Sequence, residues 1–246
     1  RNKLLQIYET SATYDNPSRR LTGRPLGVIF GYRAMGYFEA EDFNSDGSLK
    51  PTIATQPWGK VQPGDLRYED VVKDGKIDNN DLVQIGKSKI PEIVYGISPE
   101  IRYKNLRLNL LFQGAANANF MIYGAGAWPF WGNRAAYVSH LDNWTTDNTD
   151  ARYPRLVAGQ TTNNLQASTW WVENTSYLRL KNATLHYAIP STICGKVGAK
   201  NANIYLSGQN LFTWTSVINF DPEMNNTQSW DYPQQTVYSI GVNITF

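Results

Sequence analysis

The end of the chain has the most regular alternation of apolar and polar positions in the sequence. Tyr238, Ile240, Val242, Ile244 and Phe246 are all apolar, and four of the five positions that alternate with them from 237 to 245 are small or polar. A period of two is that of a β-strand, and about ten residues is the length of a tilted strand that crosses a membrane. The pattern therefore predicts a membrane-spanning last strand.

A second alternating region predicts a β-hairpin around the tight turn Lys104-Asn105. Pro99 interrupts its first strand, because proline cannot donate a hydrogen bond to a β-ladder. Apolar residues of one parity flank the turn on both sides: Ile93, Tyr95, Ile97, Ile101 and Tyr103 precede it, and Leu106, Leu108, Leu110 and Phe112 follow it.

Two further strands are predicted over 176–189 and 201–213, and the connections between strands then alternate in length. The short connections are 104–105 and 190–200, whereas the long ones are 43–92, 114–175 and 214–235. Transmembrane barrels have this asymmetry, with short periplasmic turns and long extracellular loops. The order of the connections therefore places the three long segments outside the cell and Phe246 on the periplasmic side.

Upstream the pattern is less regular and predicts one strand over 2–9, with a mixture of strand and bent loop over 27–40. Counted together, the predicted strands are fewer than the roughly eight that a closed bacterial barrel needs. An open sheet edge is not tolerated in lipid, because every unpaired backbone group there costs several kcal/mol. We therefore expect residues 1–246 to be one domain, the C-terminal part of an antiparallel transmembrane β-barrel that pairs with a further segment or chain.

Composition suits this all-β interpretation and removes several others. The 246 residues include 8 Trp and 15 Tyr, which suit aromatic girdles at a membrane interface but equally a secreted β-sandwich. With 23 Lys+Arg against 21 Asp+Glu, the net charge of +2 gives no attraction to nucleic acid. The single Cys194 excludes an internal disulfide, and no apolar stretch approaches the roughly 20 residues of a transmembrane helix.

Residues 70–81 have the spacing of a twelve-residue calcium loop, with Gly75 at the turn position. The position that normally supplies a third side-chain oxygen is Val72, which has none, and the last position is Asp instead of the longer Glu. One hypothesis is a calcium site; the other is a tight acidic turn held by its own Asx hydrogen bonds. The candidate calcium ligands are Asp70, Asp74, Lys76 through its carbonyl, Asp78 and Asp81.

Six tryptophans in or beside the long segments are candidates for contact with a ligand or a partner protein. Exposed indoles stack on sugar rings and anchor protein partners, but they also pack loops and form interfacial girdles. The six are Trp128, Trp131, Trp144, Trp170, Trp171 and Trp230. No catalytic constellation is recognisable: His140 is expected in a loop, and His186 on the inward side of a strand. We therefore expect no enzymatic activity and, calcium aside, no cofactor.

A series of short motifs runs through residues 20–246, and the most specific are Tyr-Leu-Arg-Leu-Lys-Asn at 177–182 and Ser-Gly-Gln-Asn-Leu-Phe at 207–212. The full series occupies 63–68, 74–78, 85–86, 95–96, 112–114, 151–156, 176–182, 207–212 and 221–223, followed by the closing strand. These motifs occur in the same order in the SusC/RagA family of TonB-dependent outer-membrane transporters, and the chain resembles the C-terminal region of that family. The family tends to have Asn at the position of Val72, which weakens the calcium hypothesis further.

The resemblance implies a barrel of about 22 strands with an N-terminal plug, capped by a SusD-like lipoprotein that opens like a lid. It implies import of oligosaccharides or, in some members, peptides across the outer membrane of a Gram-negative bacterium, with energy relayed by TonB. The plug and the TonB box would lie in an N-terminal portion outside this chain, as would any signal peptide. A last strand that ends on Phe246 is the type of signal that the barrel-insertion machinery reads.

A rival hypothesis from another class is a secreted, β-rich carbohydrate-binding or glycan-hydrolase domain that folds alone in water. Glycosidases use a pair of carboxylates, and Asp142, Asp147 and Asp150 crowd one loop of this chain. A monomer that folds cooperatively without detergent would favour this rival. The alternation of loop lengths favours the transporter, because a soluble sandwich has no reason to sort its loops in this way.

Overall fold

The computed structural model describes residues 2–14, 16–157, 162–224, 232 and 234–246. The chain divides into two compact units. The first, here called the loop unit, comprises Arg1–Ile90, Ala118–Asn174 and Met224–Asp231. The second, here called the sheet unit, comprises Pro91–Asn117, Thr175–Glu223 and Tyr232–Phe246.

The described residues contain twelve strands, all of them paired antiparallel. In chain order they are β1 (Ile29–Gly31), β2 (Ala34–Tyr37), β3 (Leu66–Tyr68), β4 (Val83–Gly86), β5 (Ile93–Ile97), β6 (Glu100–Tyr103), β7 (Leu106–Ala116), β8 (Asn119–Met121), β9 (Val172–Asn174), β10 (Tyr177–Ala188), β11 (Asn201–Thr215) and β12 (Val237–Thr245).

Helical structure is confined to short turns. Two are α-helical, α1 (Ser11–Tyr14) and α2 (Ser191–Cys194). The others are 3-10 turns: Pro17–Arg19, Ala40–Asp42, Asn79–Asp81, Gly124–Gly126, Trp131–Asn133, Val138–Leu141, Thr162–Leu165, Thr169–Trp171 and Gly195–Val197. In the described part of the chain, none of these helices is long and apolar enough to cross a membrane.

The sheet unit is one six-stranded sheet with the order β12-β11-β10-β7-β5, in which β6 also pairs with β7. Its strands confirm the predicted hairpin, the two predicted central strands and the predicted last strand. Tyr103 pairs with Leu106, so Lys104 and Asn105 form a two-residue turn, and Lys104 adopts the left-handed φ of 52° that such turns require. Pro99 separates β5 from β6, as the sequence predicts, while its carbonyl still accepts from Leu110 N.

The loop unit shows that two of the long predicted loops are folded structures with a common core. The loop unit contains three two-stranded sheets, β1-β4, β2-β3 and β8-β9. Tyr32 packs against the rings of Trp58 and Tyr68 at centroid distances of 4.9 and 5.5 Å, and Phe38 and Leu66 are fully buried. The apolar surface that these aromatic residues remove from water is the main favourable term in the stability of the unit.

Side-chain amides bond the edge of β3 that does not pair with β2. Leu66 N donates to Asn164 Oδ1 and Tyr68 N donates to Gln56 Oε1, both at 2.8 Å. The carbonyl of Leu66 accepts from Gln56 Nε2 at 3.0 Å and from Asn163 Nδ2 at 2.8 Å. Three buried amides thus take the place of a neighbouring strand, since a buried peptide group needs a partner.

A buried ion pair lies next to these amides. Arg155 donates to both oxygens of Asp65 at 2.8 and 3.2 Å, and Asn164 Nδ2 donates to Asp65 Oδ1 at 2.9 Å. The carboxylate of Asp65 is 1% exposed, so the fork of hydrogen bonds from Arg155 compensates a charge that would otherwise be costly to bury.

The strand predicted over 2–9 is wrong. This segment is extended but joins no sheet; Leu4 alone makes strand-like bonds, from its N–H to Arg24 O and from its carbonyl to Gly23 N. Leu5 and Tyr8 are 81% and 97% exposed, so the apolar positions of the segment have no surface to pack on. The prediction over 27–40 is correct, because this stretch forms β1, β2 and a bend between them.

We predict that Gln56→Leu destabilises the loop unit by roughly 2–4 kcal/mol, because it keeps the side-chain volume but leaves the Tyr68 N–H buried without an acceptor. Hydrogen exchange of the peptide that contains Leu66–Tyr68, followed by mass spectrometry, should show faster exchange at this strand. Gln166→Leu is the matched control, since the side-chain amide of Gln166 donates to Thr162 O at an exposed site. Equal protection in both variants would contradict the assigned role of Gln56.

Candidate functional site

One face of the six-stranded sheet is apolar across its whole width, and it is here called the apolar face. Cross-strand pairing places five aliphatic residues side by side, one from each of β6, β7, β10, β11 and β12. This row consists of Ile101, Leu108, Leu185, Leu206 and Ile240. Directly paired residues of antiparallel strands project to the same side, so the row is a continuous apolar surface.

In the described part of the structure, the apolar face is exposed. Tyr238, Ile240 and Phe246 of the last strand are 76%, 74% and 73% exposed, and Leu206 is 52% exposed. A water-soluble antiparallel sheet normally buries its apolar face against a core and leaves its polar face in water. An exposed apolar surface of this extent indicates contact with lipid or with another apolar partner.

A β-bulge in β10 keeps the apolar side chains of this long strand on one face. Leu178 and Leu180 have even numbers, whereas Ala183, Leu185 and Tyr187 have odd numbers. The pairing of β10 with both neighbours shifts between Leu180 and Asn182, and there β10 has one residue more than β7, which corrects the parity. All five side chains therefore project to the apolar face.

Aromatic residues mark both ends of the apolar face. Tyr103 and Tyr187 lie at the end with the short turns, and Phe212 and Trp214 lie at the other. In β11, Ile204, the partner of Tyr187, is ten positions from Trp214, the partner of Leu178. At about 3.3 Å per residue this is about 33 Å along the strand. With a tilt of about 40° the height is about 25 Å, which matches the apolar band of outer-membrane barrels.

The opposite face of the sheet, here called the polar face, carries charged and hydrogen-bonding residues. One row across the strands is Glu100, Asn109, Thr184, Ser207 and Ser239; the next is Arg102, Arg107, His186, Tyr205 and Gly241. His186 therefore lies on the polar face. The ring of Tyr205 covers Gly241, where an added Cβ would lie 2.3 Å from ring atoms. The glycine thus permits close cross-strand packing of this ring.

A buried arginine on the polar face ties the start of segment 214–235 to the sheet. Arg179 is 1% exposed and binds Asp221 Oδ2 and Glu223 Oε2, both at 2.5 Å, while its Nε donates to Thr213 Oγ1 at 2.8 Å. Tyr177 donates to the other oxygen of Glu223. These contacts join the sequence motif at 177–182 to the one at 221–223. Removal of either partner would leave a buried charge uncompensated.

The carboxylates of the predicted calcium loop bond to backbone N–H groups. Asp70 accepts from the N–H groups of Lys73, Asp74 and Gly75, and Asp81 accepts from those of Val71, Val72 and Asp78. These are the contacts of a turn held by its own acidic side chains. Nζ of Lys76 lies 3.1 Å from Asp78 and 3.7 Å from Asp74, where it supplies positive charge.

The electrostatics of this loop follow from those contacts. The hydrogen bond from Asn80 N and the proximity of Lys76 lower the pKa of Asp78, and the two carboxylates raise the pKa of Lys76. Within the described residues, no group of three or more His, Cys, Asp or Glu side chains is arranged to hold a metal ion. Calcium occupancy of the loop stays a prediction.

We predict that Asp81→Ala destabilises this loop by roughly 2–4 kcal/mol, because three backbone N–H groups lose a buried, charged acceptor. Asp74→Ala is the matched control and should change stability by less than about 0.5 kcal/mol, since that carboxylate is exposed. Hydrogen exchange over residues 70–82, with and without a calcium chelator, measures both effects. A loss of protection in the wild-type loop on chelation would establish a bound calcium ion.

The predicted tryptophans lie mainly within the packing of the loop unit. Trp171 is 2% exposed, Trp144 packs directly on Gly64, and Trp170 packs on Tyr37 and donates its indole N–H to Arg152 O. Trp128 and Trp131 are half-buried and pack on each other with tilted rings whose centroids are 4.8 Å apart. Trp230 lies outside the described residues. A role of these residues in ligand or partner contact stays a prediction.

His140 is a structural residue of the loop unit. It lies in the 3-10 turn Val138–Leu141, is buried, and packs edge-on against Tyr153 at 4.6 Å. Its Nδ1 accepts from Tyr137 N, and burial lowers the pKa of the imidazole. The prediction that it lies in a loop segment is confirmed, and its neutral form suits an apolar setting.

Comparisons with known proteins agree with this geometry, although no family model matches the chain. TonB-dependent receptor P26 of Formosa agariphila is 28% identical over 245 residues, which cover 93% of this chain and 23% of the relative. TonB-dependent receptor P3 of the same organism is 28% identical over 242 residues, which cover 91% of this chain and 22% of the relative.

Solved structures of the RagAB peptide importer share the fold. The open-open state has a TM-score of 0.63 and 24% identity, and the match covers 88% of this chain and 22% of that chain. The closed-closed state has a TM-score of 0.63 and 23% identity, covering 92% of this chain and 24% of that chain.

The chain therefore spans less than a quarter of the length of the relatives that it matches. These matches confirm the predicted resemblance to TonB-dependent transporters of the SusC/RagA type, and the predicted all-β barrel fold. The relatives are named receptors, which agrees with the expectation that the chain is not an enzyme.

Proposed function

We propose that this chain forms part of the wall and loops of an outer-membrane importer that binds and passes its substrate without chemical change. The observation that carries the proposal is the apolar face, which is about 25 Å high between its aromatic ends. The similarity to TonB-dependent receptors supports it. In the assembled protein the apolar face contacts lipid and the polar face lines the interior.

The open edges of the sheet fit a larger barrel. In the described residues, β12 pairs only with β11 and β5 pairs only with β7, so each has one free row of backbone groups. Such a row must be paired inside a lipid bilayer. Further strands of the same protein would pair with both, and the relatives are about four times as long as this chain.

The orientation follows from the lengths of the connections. The turn Lys104-Asn105 and the compact connection that contains α2 lie at one end of the sheet, which we assign to the periplasm together with Phe246. Segments 43–92, 114–175 and 214–235 then lie outside the cell. The ion pairs of Arg179 support this for the third segment, because they fix its first residues to the opposite end of the sheet from the turns.

Oligosaccharides or peptides are the proposed cargo, with a SusD-like lipoprotein as the lid and TonB as the source of energy. The family resemblance supports all three, and the structural neighbours are themselves described as a peptide importer. The polar face of the sheet suits hydrated cargo, because its two central rows carry hydroxyl, amide, carboxylate, imidazole and guanidinium groups. The rival secreted glycan-binding domain is disfavoured, since it would have to leave the apolar face in water.

We predict that Tyr238→Lys impairs assembly of the whole protein in the outer membrane. Tyr238 pairs with Gly208, near the middle of the apolar band, where a lysine costs roughly 2–4 kcal/mol. Ser239→Lys is the matched control, because the next residue of the same strand projects to the polar face. The heat-modifiable fraction in outer-membrane preparations is the measurement. Equal amounts of folded barrel for both variants would count against a lipid-facing apolar face.

We also predict that Phe246→Ala lowers the rate of membrane insertion without changing ligand recognition. The residue follows β12 at the periplasmic end and is 73% exposed, so its ring is available to the insertion machinery. Pulse-chase labelling measures the rate at which the heat-modifiable form appears, and ligand binding is compared on the fraction that has folded. Insertion of the variant at the normal rate in intact cells would refute this role.

A further inference from the structure

Basic side chains meet on the polar face near the short turns. Arg102 of β6 and Arg107 of β7 are direct cross-strand partners, and Arg107 is in turn paired with His186 of β10. Direct partners have Cβ atoms only about 5 Å apart, and like charges in this position destabilise a sheet. Both arginines are exposed and the carboxylate of Glu100 already binds Arg102, so a further carboxylate next to Arg107 would reduce the repulsion that remains.

A recess of about 260 Å³ lies at this place. It is lined by Arg102, Arg107 and His186, together with Lys104, Asn105 and Asn203 and, at its border, Leu106 and Ala188. One water molecule needs only about 10–15 Å³ measured in this way, so the recess has room for a side chain and its hydration. Its polar lining includes two guanidinium groups, which are the side chains that bind carboxylates through paired hydrogen bonds.

The charges around the recess are not balanced by this part of the chain. Glu100 binds Arg102 at 2.5 Å, and Lys104 lies over the ring of Tyr103 at 5.4 Å. Arg107 has no ion pair with any acidic side chain of the described residues. Over 93–113, 182–213 and 234–246, Glu100 is the one acidic residue in the sequence, against five basic ones: Arg102, Lys104, Arg107, Lys196 and Lys200.

We propose that this recess receives a carboxylate side chain from a segment of the same protein that lies outside these 246 residues and inside the barrel. The inference rests on the proposed function, which makes the polar face the interior wall. The apolar face lies on the opposite side of the sheet, so a lipid headgroup cannot reach the recess. A passing ligand would leave the Arg102–Arg107 repulsion in place between transport events, whereas a resident carboxylate offsets it at all times.

The experiment places the photo-crosslinking residue p-benzoylphenylalanine at position 107 of the whole protein in outer membranes. Position 108 is the matched control, because Leu108 is adjacent in β7 but projects to the apolar face. After irradiation, mass spectrometry identifies the crosslinked peptides. We expect position 107 to crosslink to a peptide outside residues 1–246 that contains Asp or Glu, and position 108 to crosslink to no such peptide.

A charge exchange then tests the pairing itself. Arg107→Glu should lower the temperature at which the folded barrel dissociates in SDS, and replacement of the identified acid by Lys in the same protein should restore it. The inference is overturned if position 107 crosslinks only within residues 1–246, to a peptide without an acid, or only when peptide or glycan ligand is added. Absence of a heat-modifiable barrel in the wild-type protein would refute the proposed function instead.

Discussion

A peptide N–H or C=O group that leaves water must find another hydrogen-bond partner, and both units of this chain are organised around that requirement. In the sheet unit the partners are neighbouring strands, so β7, β10 and β11 have bonded neighbours on both sides. In the loop unit, strands are short and side chains take over. Gln56, Asn163 and Asn164 bond one edge of β3, and Asp70 and Asp81 accept the N–H groups of the acidic turn.

The two solutions differ in what they demand of the sequence. A strand that is bonded on both sides needs no particular side chain to satisfy its backbone groups. In β10 and β11 the period of two therefore decides which face each side chain occupies. The bulge at Leu180–Asn182 shows how strictly the faces are kept, because one inserted residue preserves an apolar face across a change of parity. The edge of β3, in contrast, depends on three particular amides whose replacement by apolar residues leaves buried peptide groups without partners.

This difference explains how far the sequence predicts the structure. The long strands follow from a period of two and the hairpin from a two-residue turn, which are local signals. The strand predicted over 2–9 fails because alternation says nothing about whether a partner strand exists. The fold of the loop unit is held by contacts between distant residues, such as Asp65 with Arg155 and Gln56 with Asn163, and no local pattern encodes them. Predicted loop tryptophans such as Trp171 prove to be core residues for the same reason.

Two arginines on the polar face, Arg179 and Arg107, differ in how their charges are compensated. Arg179 is buried, and two carboxylates, a threonine hydroxyl and the ring of Tyr177 surround its guanidinium group. Arg107 lies on the same face of β7, opposite another arginine, and has no acidic partner in the described residues. The chain thus compensates one of the two charges with residues that follow β11, at the end away from the turns. Near the turns it has no comparable segment, because its connections there are short. The carboxylate that we propose as the partner of Arg107 would therefore come from elsewhere in the assembled protein, because the connections at this end of the sheet, 104–105 and 190–200, contain no acidic residue.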